Sequence, residues 1–226
     1  MVPEPCGHGP VLTELQERVA RIIAELPEAR GFALAGGAAL VVHGLTERST
    51  NDLDYFTTAP ADVPTLRRAI EIAMAQAGFT VTAVTASEEF VRLEVRDGTA
   101  DTRIDLAWDA RMLPPVATDF GTVLHEDELA ADKLLAVFGR AEARDFLDVY
   151  GLSQRLGWER LLELAKQKDA GVSPERLAES FGLIDLFDRS DFGIDATTYE
   201  ALMAWAHQTR ASLQEHRPPK RPGRRL

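Results

Sequence analysis

The chain has little of what stabilises secreted proteins or anchors membrane proteins. It contains one cysteine, Cys6, in 226 residues. That excludes an internal disulfide framework and fits a reducing cytosol, so a cytoplasmic location is expected. Cys6 falls in a Pro/Gly-rich N-terminal stretch and receives no role. No apolar run approaches the roughly 18 residues that a spanning helix needs, so no membrane contact is expected. The opening MVPEPCGHGP has no basic region followed by an apolar one, and no secretory signal is expected. Positive charge is also scarce: 25 Lys and Arg stand against 36 Asp and Glu, a formal charge of −11. This argues against a broad surface coating nucleic acid, while a local basic patch stays compatible with it. There is no internal repeat, and low complexity is confined to the basic, Pro-rich end HRPPKRPGRRL, which is expected to be disordered.

The chain does have an ordinary globular composition, with 45% hydrophobic and 27% charged residues. Apolar spacing predicts an amphipathic helix over residues 11–26. GFALAGG reads as a short buried strand ending in two glycines, AALVVHGL as a short apolar helix, and NDLDYFT as a second strand. PTLRRAIEIAMAQAG is helical, with Pro64 near its first turn and Gly78 at its end. FTVTAVT, EFVRLEVR and TRIDLAW read as three further strands. After Pro114-Pro115 the predicted elements are all helical, including SPERLAESFGLIDLF as one helix. The expected fold class is α+β: a mixed sheet flanked by helices over residues 1–115, a helical part over 116–214, and a basic tail over 215–226.

Within NDLDYFT, Asp52 and Asp54 are two residues apart, so they share one strand face, while Leu53 and Tyr55 face a core. Two aligned carboxylates repel unless a cation sits between them. Hard divalent ions such as Mg²⁺ bind carboxylate oxygens and substrate phosphates. TRIDLAW offers a third carboxylate, Asp105, on the face of Arg103 and Ala107, opposite Ile104, Leu106 and Trp108. If the two strands are neighbours, Asp105 completes a cradle for the metal. Gly36-Gly37, between a strand and a helix, would let a phosphate approach the backbone. Tyr55, Phe56 and Trp108 read as core residues, and His43 as a packed or surface histidine.

The stretch GGAALVVHGLTERSTNDLDYF resembles the opening signature of the DNA polymerase β-like nucleotidyltransferase superfamily, and more narrowly the AbiEii/MenT group of toxin nucleotidyltransferases. The matching positions are Gly36, Gly37, Arg48, Thr50, Asp52, Asp54 and Phe56. A second block, DKLLAVFGRAEARDFLDVYGL, is similar to the group's Lys and Arg-Asp-x-x-Asp segment through Lys133, Arg144, Asp145 and Asp148. Small residues around Gly139 suggest a helix break after Phe138.

The resemblance implies a nucleotidyltransferase core whose cleft is completed by the helical part. It implies Mg²⁺ or Mn²⁺ on Asp52, Asp54 and Asp105, and an NTP as substrate. Gly36, Gly37, Arg48, Thr50, Lys133 and Arg144 would contact the nucleotide, with Lys133 offsetting phosphate charge and Asp145 an active-site acid. Arg48 could instead pair with Glu47 or Asp52. The implied acceptor is RNA, above all the tRNA 3′ end, with arrest of translation as the effect and a cognate antitoxin as partner. Thr50 is a position where such an antitoxin can place a phosphate. Arg140, Arg144, Arg217, Lys220, Arg221, Arg224 and Arg225 are the cations available for RNA phosphates. A small-molecule or protein hydroxyl as acceptor, and a non-catalytic nucleotide- or partner-binding role, remain open as alternatives.

Overall fold

The computed structural model describes residues 12–46 and 48–215. Cys6, Glu47 and the tail bases Arg217, Lys220, Arg221, Arg224 and Arg225 lie outside the described residues. The chain divides into two compact units between Leu129 and Ala130.

The first unit opens with α1 (Glu14–Glu25), whose start is fixed by reciprocal capping between Thr13 and Gln16. Leu15, Val19, Ala20 and Ile23 form its buried stripe. β1 (Phe32–Ala35), α2 (Gly36–Val42), β2 (Asp52–Thr57) and α3 (Val63–Gln76) follow. β3 (Thr80–Ala86), β4 (Phe90–Arg96) and β5 (Asp101–Trp108) come next. Two short strands not expected from the sequence lie beyond Pro115: β6 (Val116–Thr118) and β7 (Gly121–Val123). Three residues each are too few to show a period. The strands form one sheet in the order β3-β4-β5-β2-β1-β7-β6. It is mixed, because β2–β5 and β1–β7 are parallel and the other pairs antiparallel.

Strand alternation then decides which side chains are buried. Leu53, Tyr55, Val91, Leu93, Val95, Ile104 and Leu106 are all buried, as are Leu66, Ile70 and Met74 of α3. Each such side chain contributes about 1.5–3 kcal/mol by leaving water. The residues between them on β2, β4 and β5 carry the charges.

The second unit is helical. α4 (Glu126–Gly139) carries the chain into it, followed by α5 (Ala143–Leu156), α6 (Trp158–Lys168), α7 (Pro174–Gly182), α8 (Arg189–Phe192) and α9 (Ala196–Glu215). The break expected after Phe138 falls between α4 and α5, where Ala141 takes a left-handed conformation (φ 52°). The single helix expected over 173–187 ends at Gly182 and continues as a 3₁₀ turn, Leu183–Leu186. Phe181 anchors an aromatic core, with ring centroids 5.9 Å from Phe146, 5.6 Å from Trp158 and 5.6 Å from Trp205. The architecture is the α+β arrangement read from the sequence, a mixed sheet flanked by helices and then a helical part. Among the described residues no helix is long and apolar enough to cross a membrane.

Candidate active site

Parallel pairing of β2 with β5, and antiparallel pairing of β5 with β4, sets three rows of side chains across one face of the sheet. The first row is Asp52, Arg103 and Glu94; the second is Asp54, Asp105 and Arg92; the third is Phe56, Ala107 and Phe90. Asp54 and Asp105 are direct cross-strand partners. Asp105 therefore joins the aspartate pair of β2, as the sequence had left conditional.

Each carboxylate already has a partner. Asp105 is only 6% exposed. The Arg92 fork grips both its oxygens, Nε donating to Oδ1 at 2.8 Å and Nη2 to Oδ2 at 2.5 Å. This hydrogen bonding pushes the Arg92 guanidinium above its usual pKa; partial burial opposes the shift, and the charges of Asp105, Asp52 and Asp54 reinforce it. Arg92 thus feels all three aspartates. Asp52 accepts a hydrogen bond from the Thr50 hydroxyl on Oδ1 at 2.9 Å, and Arg103 lies 3.7 Å from its Oδ2.

The two glycines make room for this cluster. Gly36 has φ +59°, and a Cβ there would stand 1.8 Å from Asp54 Oδ2. A Cβ on Gly37 would stand 2.8 Å from Thr50 Oγ1 and 3.2 Å from an Arg48 guanidinium nitrogen. The absent side chains are what let the aspartate and the threonine approach the start of α2. Arg48 donates to the Ser49 carbonyl at 3.1 Å. Thr50 is buried, and its carbonyl accepts from Gln16 Nε2 at 2.9 Å, tying the loop before β2 to the capped start of α1. His43 is packed, with Nε2 2.9 Å from the Leu124 carbonyl oxygen.

Three carboxylates on one face fit a hard divalent ion in kind, since such ions take oxygen ligands. Their present positions do not amount to a finished site: among the described residues no three His, Cys, Asp or Glu side chains are grouped to hold a metal ion. In the same cluster, Arg92 engages both oxygens of the third carboxylate, Asp105.

The second unit holds the rest of the expected residues. Lys133 Nζ lies 2.8 Å from Asp148 Oδ2, both side chains almost sealed from solvent at 8% and 0% exposure. Asp145 is fully buried and accepts from Arg140 through two 2.8 Å bonds and from the Glu142 backbone N–H at 3.2 Å. Asp145 is also the reciprocal cap at the start of α5. Arg144 pairs with Glu142 at 2.9 Å. The lysine's carboxylate partner is therefore Asp148, the member of the Arg-Asp-x-x-Asp segment with no assigned role.

Two aromatic expectations need correction. Trp108 is not core: it ends β5 with 49% exposure, its indole N–H donating to the Thr58 carbonyl at 3.2 Å. Phe56 is half-buried on the carboxylate face, because alternation places it with Asp52 and Asp54 and not with Tyr55. Sequence reasoning missed Arg92, Arg103 and Gln16. Alternation within EFVRLEVR and TRIDLAW put the two arginines on strand faces, but which strands touched was not legible.

Comparison with known proteins now gives the geometry its setting. A profile of the family "Nucleotidyl transferase AbiEii toxin, Type IV TA system" matches residues 19–218. The chain shares its fold with JHP933 of Helicobacter pylori, at 21% identity and TM-score 0.54, over 90% of this chain and 95% of that one. It shares it also with a provisionally assigned nucleotidyltransferase of H. pylori, at 20% identity and TM-score 0.52, over 92% and 100% of the two chains. No curated protein matches the sequence. The protein is an enzyme of the nucleotidyltransferase class. Within that class, the chain belongs to the AbiEii nucleotidyltransferase toxin family.

Proposed function

We propose that this toxin transfers a nucleoside monophosphate from an NTP to RNA, with the tRNA 3′ end as the acceptor, and thereby halts translation. The observation that carries the reading is the register of β2 with β5, which makes Asp54 and Asp105 cross-strand partners with Asp52 on the same face. Asp52, Asp54 and Asp105 are the residues that would hold a divalent cation, Mg²⁺ or Mn²⁺. When bound, such an ion lowers the pKa of an acceptor hydroxyl and offsets charge on phosphate oxygens.

The chain's own residues do the rest. The acceptor oxygen forms a bond to the α-phosphorus, the bond to the β-phosphate oxygen breaks, and pyrophosphate leaves. The hydroxyl proton passes to a carboxylate, with Asp105 and Asp145 the candidates. Gly36 and Gly37 keep the space beside Asp54 and Thr50 clear, and Arg48 borders it. Lys133 is assigned to offset triphosphate charge as a point cation, and Arg144 to contact the nucleotide.

Family membership implies an antitoxin counterpart. Thr50 is a candidate point of control, because its hydroxyl is the donor to Asp52. A phosphate there would add about −1.5 to −2 charges beside the aspartate pair. Mass spectrometry of protein silenced by its antitoxin should find it; silenced protein with unmodified Thr50 removes the idea.

The reading is tested by incubating the protein with divalent metal, each labelled NTP and total RNA. Labelled RNA whose 3′ ends are extended, lost in Asp54→Ala, is the expected result. Label on small molecules or on protein would redirect the acceptor assignment. No transfer to any acceptor would replace the enzyme reading with a binding role.

A further inference from the structure

We propose that Arg92 is a resident counter-cation of the carboxylate cluster, holding Asp105 until a metal-bound nucleotide arrives and then passing to one of its phosphates. This rests on the nucleotidyltransferase reading of the site. It concerns a residue that the sequence motifs do not mark.

Three observations lead to it. First, the sheet register forces Asp52, Asp54 and Asp105 onto one face, where like charges repel. Arg92 is the registered neighbour of Asp105 on the other side, and it is held through two short bonds in the planar fork geometry that carboxylates and phosphates both accept. Second, Asp105 is buried, so without a cation it would be a charge out of water with nothing to offset it. The folded protein therefore needs a substitute for metal, and Arg92 is that substitute. Third, the two partners differ in access: the Asp105 side chain is 9% exposed and that of Arg92 36%. The carboxylate is fixed by its strand, whereas the guanidinium is at an opening and moves by side-chain rotation alone. Its carbon already lies 5.6 Å from the Phe90 ring centroid, so an aromatic face neighbours it. Arg103 contrasts with this, reaching Asp52 at 3.7 Å without the two-bond grip.

The exchange balances charge at each stage. Without metal, Arg92 on Asp105 and Arg103 near Asp52 partly neutralise the carboxylate face. With metal and nucleotide bound, Asp52, Asp54 and Asp105 would hold the ion, and the Arg92 guanidinium would be free to meet the added phosphate charge. No covalent bond is made or broken by Arg92.

The consequence is a pair of effects of opposite sign, which a purely structural residue does not produce. In Arg92→Gln, Mn²⁺ alone, titrated by electron paramagnetic resonance, should bind about tenfold tighter, because a competing positive charge is gone. An α,β-methylene NTP analogue with Mn²⁺ present, followed by calorimetry, should bind about tenfold more weakly, because a charge-assisted hydrogen bond to phosphate is lost. Arg92→Lys, which keeps the charge and loses the fork, should show the same two signs with smaller size; it also serves if the glutamine variant melts early. Mn²⁺ binding unchanged or weaker in both variants overturns the proposal, since Arg92 would then merely orient Asp105. Tighter Mn²⁺ with unchanged analogue binding overturns the hand-over to phosphate. Asp54→Asn separates this from the underlying reading. If the wild type binds Mn²⁺ no better than Asp54→Asn does, the metal site itself is wrong, whatever Arg92 does.

Discussion

The two units both pair aspartates with basic side chains, but they do so in different ways. In the first unit the partners come from different strands, and one of each pair opens to solvent: Arg92 and Arg103 are 36% and 39% exposed. In the second unit Lys133 and Asp148 are sealed together at 8% and 0%. Arg140 and Asp145 lie close in sequence across one helix break, with the Arg140 side chain 49% exposed and Asp145 sealed, and Asp145 is also the N3 partner in the capping box of α5. An ion pair with an open side can exchange partners at small cost. Opening a sealed pair costs more, since removing one member strands the other in low dielectric. The comparison sets a cross-strand cluster of charges on an open sheet face against a lysine–aspartate pair closed inside the helical unit.

The largest effect should come from the open face. Asp54→Ala should lower nucleotidyl transfer by about a thousandfold, the scale of removing one group that stabilises developing charge, with the melting temperature little changed. Activity that survives the change would show that the aspartate row is not the reactive centre. Next, Asp148→Asn should destabilise the protein by about 3–5 kcal/mol by leaving Lys133 buried without this partner. Denaturant titration would measure it, with Asp105→Asn alongside. Equal losses in the two variants would erase the distinction between the units.

Gly36→Ala should cost about 1–2 kcal/mol for a left-handed non-glycine residue. It should reduce transfer by far more than that stability loss explains, because the new methyl displaces the Asp54 carboxylate. The smallest effect is expected at the helix break. Ala141 holds a left-handed conformation, so Ala141→Gly should stabilise the second unit by roughly 1 kcal/mol. A destabilised variant would mean that packing of the methyl, and not backbone strain, dominates there.

The sequence revealed Asp52 and Asp54 as a same-face pair because a strand has a period of two, and that period survives in six residues. It also marked the two glycines, whose meaning became definite once Asp54 and Thr50 were found against them. It could not show β6 and β7, which are too short for any period, or the exposure of Trp108 at a strand end. In the second block, the resemblance put Asp145 forward as an active-site acid and gave Asp148 no role; packing gives Asp145 to Arg140 and Asp148 to Lys133, which spacing within one helical turn does not reveal.

What the sequence determined by itself is local: element types, the face each aspartate takes, and the motif spacing that a family match rests on. Those follow from backbone periodicity and side-chain chemistry within a few residues. Only the tertiary structure decided that β2 lies beside β5 and β5 beside β4, and so that Asp54, Asp105 and Arg92 form one row. Strand neighbours are chosen by burial summed over the whole sheet, and that choice is not written in any one segment.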